Sequence, residues 1–151
     1  MPRWDIYYAP STGALATPAA RQALARAITS IYTGAGLPAF YVVVMYHALE
    51  ASEFFVGGEP NDGATKKPFV RLTYEHTARN FQSKEVKMRF LAKLDEVIKP
   101  HLLDQGLDYE YSGADFDRDL WRINSIEPPQ EGTRAFEVWK RENRAVPLEK
   151  L

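Results

Sequence analysis

The hydrophobic pattern of the first third of the chain predicts a strand, a helix and a second strand. The segment WDIYY at 4–8 alternates apolar and polar positions, which is typical of a strand with one buried face. Thr17 and the proline after it form a helix start, and apolar residues at helical spacing continue to Tyr32. GAG at 34–36 predicts the end of that helix. FYVVVMY at 40–46 is apolar throughout, so we expect a strand covered on both faces.

The second half of the chain shows the same order of elements. PFVRLTY at 68–74 predicts a strand, and EHTARNFQ at 75–82 predicts a loop. Apolar residues at helical spacing then predict a helix that begins at Ser83 and ends near Pro100. LDYEYSG at 107–113 predicts the last strand of this half.

The two halves can be laid over each other, with Pro2 on Pro68 and Tyr8 on Tyr74. The repeat predicts two β-α-β units, joined by a loop at 55–67 that is rich in Gly, Asn and Asp. Two such units side by side give an α/β fold, here a single domain with a four-stranded sheet and both helices on one face. The repeat boundaries are about 2–48 and about 68–113.

The remaining segments predict how the sheet is covered. The chain has no spare helix for the second face of the sheet, so we expect other copies of the chain to bury it. The extension at 114–151 contains a short amphipathic helix around 133–143, in which Phe136 and Trp139 share one face. Aromatic side chains in so polar a segment need a packing partner. We expect the extension to wrap over the sheet edge or a neighbouring subunit.

Composition narrows the function classes. The 151 residues suit one domain, and 45% hydrophobic with 26% charged residues is ordinary for a soluble protein, so we expect a cytoplasmic location. A net charge of -1 gives no electrostatic reason to expect a nucleic-acid or membrane partner. The absence of cysteine excludes disulfides, and the three histidines are too dispersed to predict a metal site.

Several motifs together carry a family resemblance: a proline directly behind Met1 in MPRW, then GLPAFYV, EHTARNF and DLWRIN. With the doubled β-α-β unit, they resemble the tautomerase superfamily, most closely its fused branch typified by cis-3-chloroacrylic acid dehalogenase and the fungal oxalocrotonate tautomerase-type proteins. The resemblance implies a homotrimer that acts on a small carboxylate substrate without a metal or organic cofactor. It also implies that Met1 is removed and that the nitrogen of Pro2 becomes the catalytic base or acid.

The chemistry expected of Pro2 follows from the properties of an α-amine. Such an amine titrates near ~7.7–8.0, closer to neutrality than a lysine. Desolvation by Trp4 and other aromatic side chains, together with a nearby arginine, would lower its pKa further and leave a base at neutral pH. The alternative is that Pro2 only starts a strand, as Pro68 must do in the second repeat.

The resemblance also suggests cationic and polar partners for the substrate. Arg79 lies where the fused branch places arginines that bind the substrate carboxylate, a role that a guanidinium fork suits. His76 is either a second polar contact or a residue at a strand end. Arg71 could reach a pocket between subunits, although pairing with Glu75 on the same strand face is the favoured interpretation.

Two tyrosines complete the predicted site. Tyr32 could donate a hydrogen bond to a carboxylate or enolate oxygen, or it could close the helix against the sheet. Tyr111 matches a tyrosine that helps to activate water or substrate in the fused branch, and it could equally belong to the core. A dehalogenase also needs a carboxylate that activates water, and no choice can be made among Asp115, Asp117 and Asp119.

Taken together, the sequence predicts a cofactor-free tautomerase that interconverts enol and keto forms of a 2-oxo acid. Two alternatives stay open: a hydratase or dehalogenase of 3-haloacrylate-type acids on the same fold, and a non-enzymatic ligand-binding or interaction protein. A ferredoxin-like dimer is the alternative architecture, because it shares the repeated β-α-β unit.

Overall fold

The computed structural model describes residues 1–147 of the chain, which form a four-stranded mixed sheet, a small hairpin and three helices. The elements in chain order are β1 Arg3–Tyr8, α1 Pro18–Gly34, β2 Val43–Ala48, β3 Phe55–Val56, β4 Glu59–Pro60, β5 Phe69–His76, α2 Lys84–Ile98, β6 Asp108–Asp115 and α3 Arg134–Glu142.

The strand order β2-β1-β5-β6 confirms the tandem β-α-β architecture. β1 runs parallel to β2 and β5 runs parallel to β6, with one helix crossing over in each unit. α1 and α2 pack against each other on one face of the sheet. The two units meet through β1 and β5, which are antiparallel, so the beginning of β1 lies beside the end of β5.

Local capping explains where the helices begin. The hydroxyl of Thr17 accepts a hydrogen bond from the backbone N–H of Ala20, and Ser83 does the same for Val86 at the start of α2. Thr133 caps α3 through the N–H of Phe136. Each of these caps satisfies a donor that the first turn of a helix leaves without a partner.

The core lies between the sheet and the two long helices. The alternating face of β1 is buried as the pattern predicts, with Trp4 and Ile6 fully inaccessible. β5 alternates along its whole length, and its buried positions end in a polar residue, His76, which is only 4% exposed. A histidine therefore stands at the end of a buried strand, beside the beginning of β1.

Several predicted boundaries were wrong, and tertiary packing explains the shifts. β2 begins at Val43 rather than at residue 40, because Pro38 introduces a 3₁₀ turn that buries the ring of Tyr41. In a single chain, β2 is a half-exposed edge strand, and the expected cover of its second face by other copies of the chain stays a prediction. β5 extends to His76 and β6 to Asp115, since these two residues are paired in the parallel ladder.

The linker at 55–67 is not a plain loop, because β3 and β4 pair within it as a short hairpin. Most of the segment is exposed, as expected, but Asn61 is buried. Its side chain accepts from the N–H of Phe69 and donates to the carbonyl of the same residue, both at 2.8 Å. The linker thereby fixes the start of β5.

The C-terminal extension packs on its own chain. Phe136 and Trp139 are buried, and their rings meet Tyr41 edge to face at 6.5 and 6.4 Å between centroids. Trp121 also meets Tyr41, at 4.9 Å. The extension therefore covers the turn that leads into the edge strand β2, which is the first of the two predicted placements.

Within residues 1–147, no helix is both long enough and apolar enough to cross a lipid bilayer. The same part of the chain contains no group of three or more His, Asp or Glu side chains placed to hold a metal ion.

Candidate active site

A cavity of about 310 Å³ opens at the end of the sheet where β1 begins. Pro2, Tyr32, His76 and Arg79, four of the six residues singled out in the sequence, line it together. They come from the start of β1, the end of α1, the end of β5 and the loop before α2. The other walls are largely apolar and include Ile31, Leu37, Ala78, Phe81, Val86 and Phe90.

Pro2 is fully buried at this cavity, and its carbonyl accepts a hydrogen bond from the N–H of Val43 at 2.9 Å. The residue therefore extends the pairing of β1 with β2 and faces the cavity as well. Burial, together with a smaller effect of the positive charge of Arg118, lowers the pKa of the neighbouring Met1 α-amine to about 4. The α-amine of Met1 is therefore neutral at pH 7.

A chain of polar contacts runs behind Pro2. The indole N–H of Trp4 donates to the hydroxyl oxygen of Tyr32 at 3.0 Å, and that oxygen lies 2.8 Å from Nε2 of His76. On the other side of the imidazole ring, Nδ1 of His76 lies 3.6 Å from a carboxylate oxygen of Asp115. Because Nδ1 faces a carboxylate, we assign it the hydrogen, and the Tyr32 hydroxyl then donates to Nε2.

The protonation states of this chain follow from burial. Desolvation lowers the pKa of His76 to about 4, against an opposing effect of Asp115, and the N-terminal amine adds to the lowering when it is protonated. The imidazole is therefore neutral at pH 7. Desolvation also raises the pKa of the Tyr32 hydroxyl well above its usual value, so this group keeps its proton.

Asp115 is the acidic residue of 115–119 that contacts the site. Its second carboxylate oxygen accepts a hydrogen bond from the N–H of Phe81 at 3.1 Å, so it ties the cavity loop to the end of β6. Asp117 instead caps a 3₁₀ turn through the N–H of Asp119 at 2.9 Å. The sequence could not single out Asp115, because its register opposite His76 depends on where both strands end.

Two further arginines shape the loop at the cavity. Arg79 donates to the carbonyl of Ala35 at 3.2 Å and forms an ion pair with Glu131. Arg118, which sequence reasoning missed, donates to the carbonyls of Ala78, Pro128 and Pro129 at 2.8–3.1 Å. Together they fasten the C-terminal extension across the loop that follows β5.

Two of the predicted residues lie elsewhere in the single chain. The hydroxyl of Tyr111 donates to a carboxylate oxygen of Asp95 on α2 at 2.6 Å. Arg71 pairs with Glu110 and donates to Ser112 at 3.0 Å, both on the adjacent strand β6. The expected partner of Arg71, Glu75, pairs with Arg3 instead. Neither Tyr111 nor Arg71 lines the cavity.

Comparison with solved structures shows close relatives over nearly the whole chain. A probable enzyme from the thermophilic fungus Aspergillus fumigatus is 41% identical, with a TM-score of 0.88 and 98% of each chain covered. RhCC from Rhodococcus jostii RHA1 is 32% identical, with a TM-score of 0.86 over 96% of this chain and 99% of that one. N1, a member of the cis-3-chloroacrylic acid dehalogenase family, is 15% identical and shares the fold, with a TM-score of 0.62 over 91% of this chain and 89% of that one.

No curated protein matches the sequence. A family model described as "Putative oxalocrotonate tautomerase enzyme" matches residues 1–144. The matched segment includes both β-α-β units, the cavity residues and α3. The chain therefore belongs to this oxalocrotonate tautomerase family, within the tautomerase superfamily.

Proposed function

We propose that the protein is a cofactor-free tautomerase that converts the enol form of a 2-oxo acid into the keto form, and the reverse. Removal of Met1 would free the nitrogen of Pro2 as the general base and acid. The observation that carries the proposal is the position of Pro2, buried at a largely apolar cavity. The same surroundings lower the pKa of the adjoining Met1 amine, and we expect them to act in the same direction on a free Pro2 amine.

The reaction needs one proton to move and no other reactant. The neutral amine accepts the proton of the enol hydroxyl as the carbonyl forms. It then returns that proton to the other carbon of the former double bond, the one next to the new carbonyl. The buried setting disfavours the charged prolinium, so the proton is readily passed to carbon. The apolar walls suit the unsaturated or aryl body of such an acid.

Hydration or dehalogenation of an acrylate-type acid is the second candidate. Its support is the fold shared with a member of the cis-3-chloroacrylic acid dehalogenase family. That chemistry requires a carboxylate free to activate water. Asp115 is the carboxylate beside the site, and it is engaged by the N–H of Phe81 and faces Nδ1 of His76. These contacts support the tautomerase as the leading proposal.

We also propose that the protein acts as a homotrimer. β2 is half-exposed along most of its length although it is made largely of apolar residues, so it is a surface for another copy. A fused 4-OT that is 18% identical, with a TM-score of 0.58, is described as an asymmetric trimer. In a trimer, Tyr111 and Arg71 could belong to the site of a neighbouring subunit, as the resemblance implies.

The first experiment is the intact mass of the purified protein, followed by ketonisation assays with phenylenolpyruvate and 2-hydroxymuconate. We expect a mass that lacks one methionine, together with turnover. Pro2→Ala replaces the secondary amine by a primary one once Met1 is removed, so it should lower kcat/KM by less than the roughly 10²–10⁴ that a general base contributes, with an unchanged circular dichroism spectrum.

A matched control keeps the proline ring but removes the amine. A protein with an uncleaved N-terminal extension holds the nitrogen of Pro2 in an amide bond, and we expect it to be folded and inactive. Full activity of this extended protein would overturn the mechanism. Retained methionine without turnover would favour the ligand-binding alternative.

A further inference from the structure

The cavity contains two arginines with different bonding. Arg79 is already engaged, by the carbonyl of Ala35 and by the carboxylate of Glu131. Arg89 projects from α2 to the same cavity and is exposed. Among residues 1–147 it has neither an acidic partner nor a side-chain hydrogen bond, so all five of its guanidinium donors are available.

The engagement of Arg79 has a structural purpose. Its guanidinium joins the end of α1 to the C-terminal extension, because Ala35 follows α1 and Glu131 precedes α3. A substrate carboxylate that used Arg79 would have to displace Glu131, an anion of the same kind. Binding of a carboxylate at Arg79 thus exchanges one ion pair for another, and the binding free energy gained is small.

Arg89 is also next to the apolar wall. Phe90 adjoins it in the chain, and Val86 lies one helical turn earlier; both line the cavity. A carboxylate bound by Arg89 would place an attached apolar body against these side chains. In the region that the structure describes, the cavity has this single arginine without an anionic partner. Arg71, which a neighbouring subunit would contribute in the proposed trimer, is paired with Glu110, so the site is matched to one carboxylate rather than two.

We infer that Arg89 binds the substrate carboxylate, that the pair of Arg79 and Glu131 is a structural latch, and that the site selects an aryl or alkenyl monocarboxylate over a dicarboxylate. The inference deepens the proposed function and rests on it for the identity of the reaction. The binding step itself can be measured without turnover.

The test is isothermal titration calorimetry with 3-phenylpropanoate, which has the carboxylate and the apolar body but no ketone. We expect Arg89→Ala to weaken its binding by about 10–100-fold, the value of a hydrogen-bonded ion pair. Arg89→Lys should recover part of the loss. Arg26→Ala, which removes an exposed arginine of α1 away from the cavity, should leave the affinity unchanged.

Two further probes separate charge from shape. 3-Phenylpropanamide, the neutral analogue, should bind weakly and equally to the parent protein and to Arg89→Ala. Adipate, a dicarboxylate, should bind more weakly than 3-phenylpropanoate. Arg79→Ala should reduce the affinity for 3-phenylpropanoate less than Arg89→Ala does.

Unchanged affinity of Arg89→Ala, a larger loss in Arg79→Ala, tighter binding of adipate, or no binding of 3-phenylpropanoate to the parent protein would each overturn the inference. These outcomes are distinguishable from a failure of the proposed reaction. Binding that depends on Arg89 without ketonisation would reject the tautomerase and keep the carboxylate site.

Discussion

The imidazole of His76 lies between the hydroxyl of Tyr32 and the carboxylate of Asp115, with Tyr74 on its own strand and the N-terminal amine nearby. Burial opposes a charged ring, Asp115 favours one, and the N-terminal amine opposes it when that amine is protonated. Burial has the largest effect, so the ring stays neutral and keeps Nε2 as an acceptor for Tyr32. A neutral ring beside Pro2 also adds no positive charge that the prolinium would have to overcome.

This burial predicts a loss of stability in acid. The pKa of His76 is about 4 in the folded protein, whereas an unfolded histidine titrates near ~6.5. Below pH ~6.5 the histidine of the unfolded chain binds a proton, while His76 of the folded protein stays neutral until about pH 4. The free energy of unfolding therefore falls as the pH falls from about 6.5 to 4. The contribution of His76 between pH 7.5 and 4.5 is roughly 2–3 kcal/mol.

Urea unfolding at pH 7.5 and at pH 4.5 measures this contribution. We expect His76→Gln to show a smaller stability difference between the two pH values than the parent protein. His101→Gln removes an imidazole at the end of the 3₁₀ turn after α2 and serves as the control. An equal pH difference in His76→Gln and the parent protein would show that the burial of this ring is not coupled to protonation.

The pairing of β5 with β6 depends on a glycine. Tyr74 and Gly113 are partners in the parallel ladder, and the tyrosine ring lies over the glycine. A Cβ atom at Gly113 would come within 2.1 Å of that ring. The same ring packs against Trp4 at 4.8 Å and Phe90 at 5.6 Å between centroids, so the glycine lets Tyr74 form part of the wall behind the cavity.

Gly113→Ala should therefore destabilise the fold by about 1–3 kcal/mol, the usual cost of overpacking. Displacement of Tyr74 should also move Phe90 and weaken ligand binding. Gly34→Ala is a matched control, because a Cβ there meets nothing within 4 Å and alanine favours the helix. Chemical denaturation of the two variants gives the comparison, and equal stability of Gly113→Ala and Gly34→Ala would contradict it.

Residues 1–147 leave apolar surface that their own elements do not cover. β2 is a half-exposed edge strand, and Leu120 and Phe116 in the extension are 87% and 47% exposed. Exposed apolar side chains of this kind are available for burial in an interface. The proposed trimer would bury this surface and bring a second chain close to the cavity.

Light scattering coupled to size exclusion tests the assembly directly. We expect a mass three times the 17.2 kDa of one chain, stable on dilution into the low micromolar range. A mass of two chains or of one chain would contradict the proposed trimer.

Local signals in the sequence determined the elements and the repeat. The alternation in β1 and β5, the capping residues Thr17 and Ser83 and the glycines after α1 each act on neighbouring residues, so they can be read without knowing the fold. The motifs that carry the family resemblance are equally local, and they correctly indicated the family and the α/β architecture. They also drew attention to Pro2, Tyr32, His76 and Arg79, which line one cavity.

Tertiary structure alone decided what those residues contact. The antiparallel pairing of β1 with β5 brings His76 to Pro2, and the register of β6 sets Asp115 against the imidazole. The extension delivers Glu131 to Arg79 from far along the chain, while α2 leaves Arg89 facing the cavity. Such pairings join residues that are distant in sequence, and no local preference encodes them, because they follow from strand register and from the packing of whole elements.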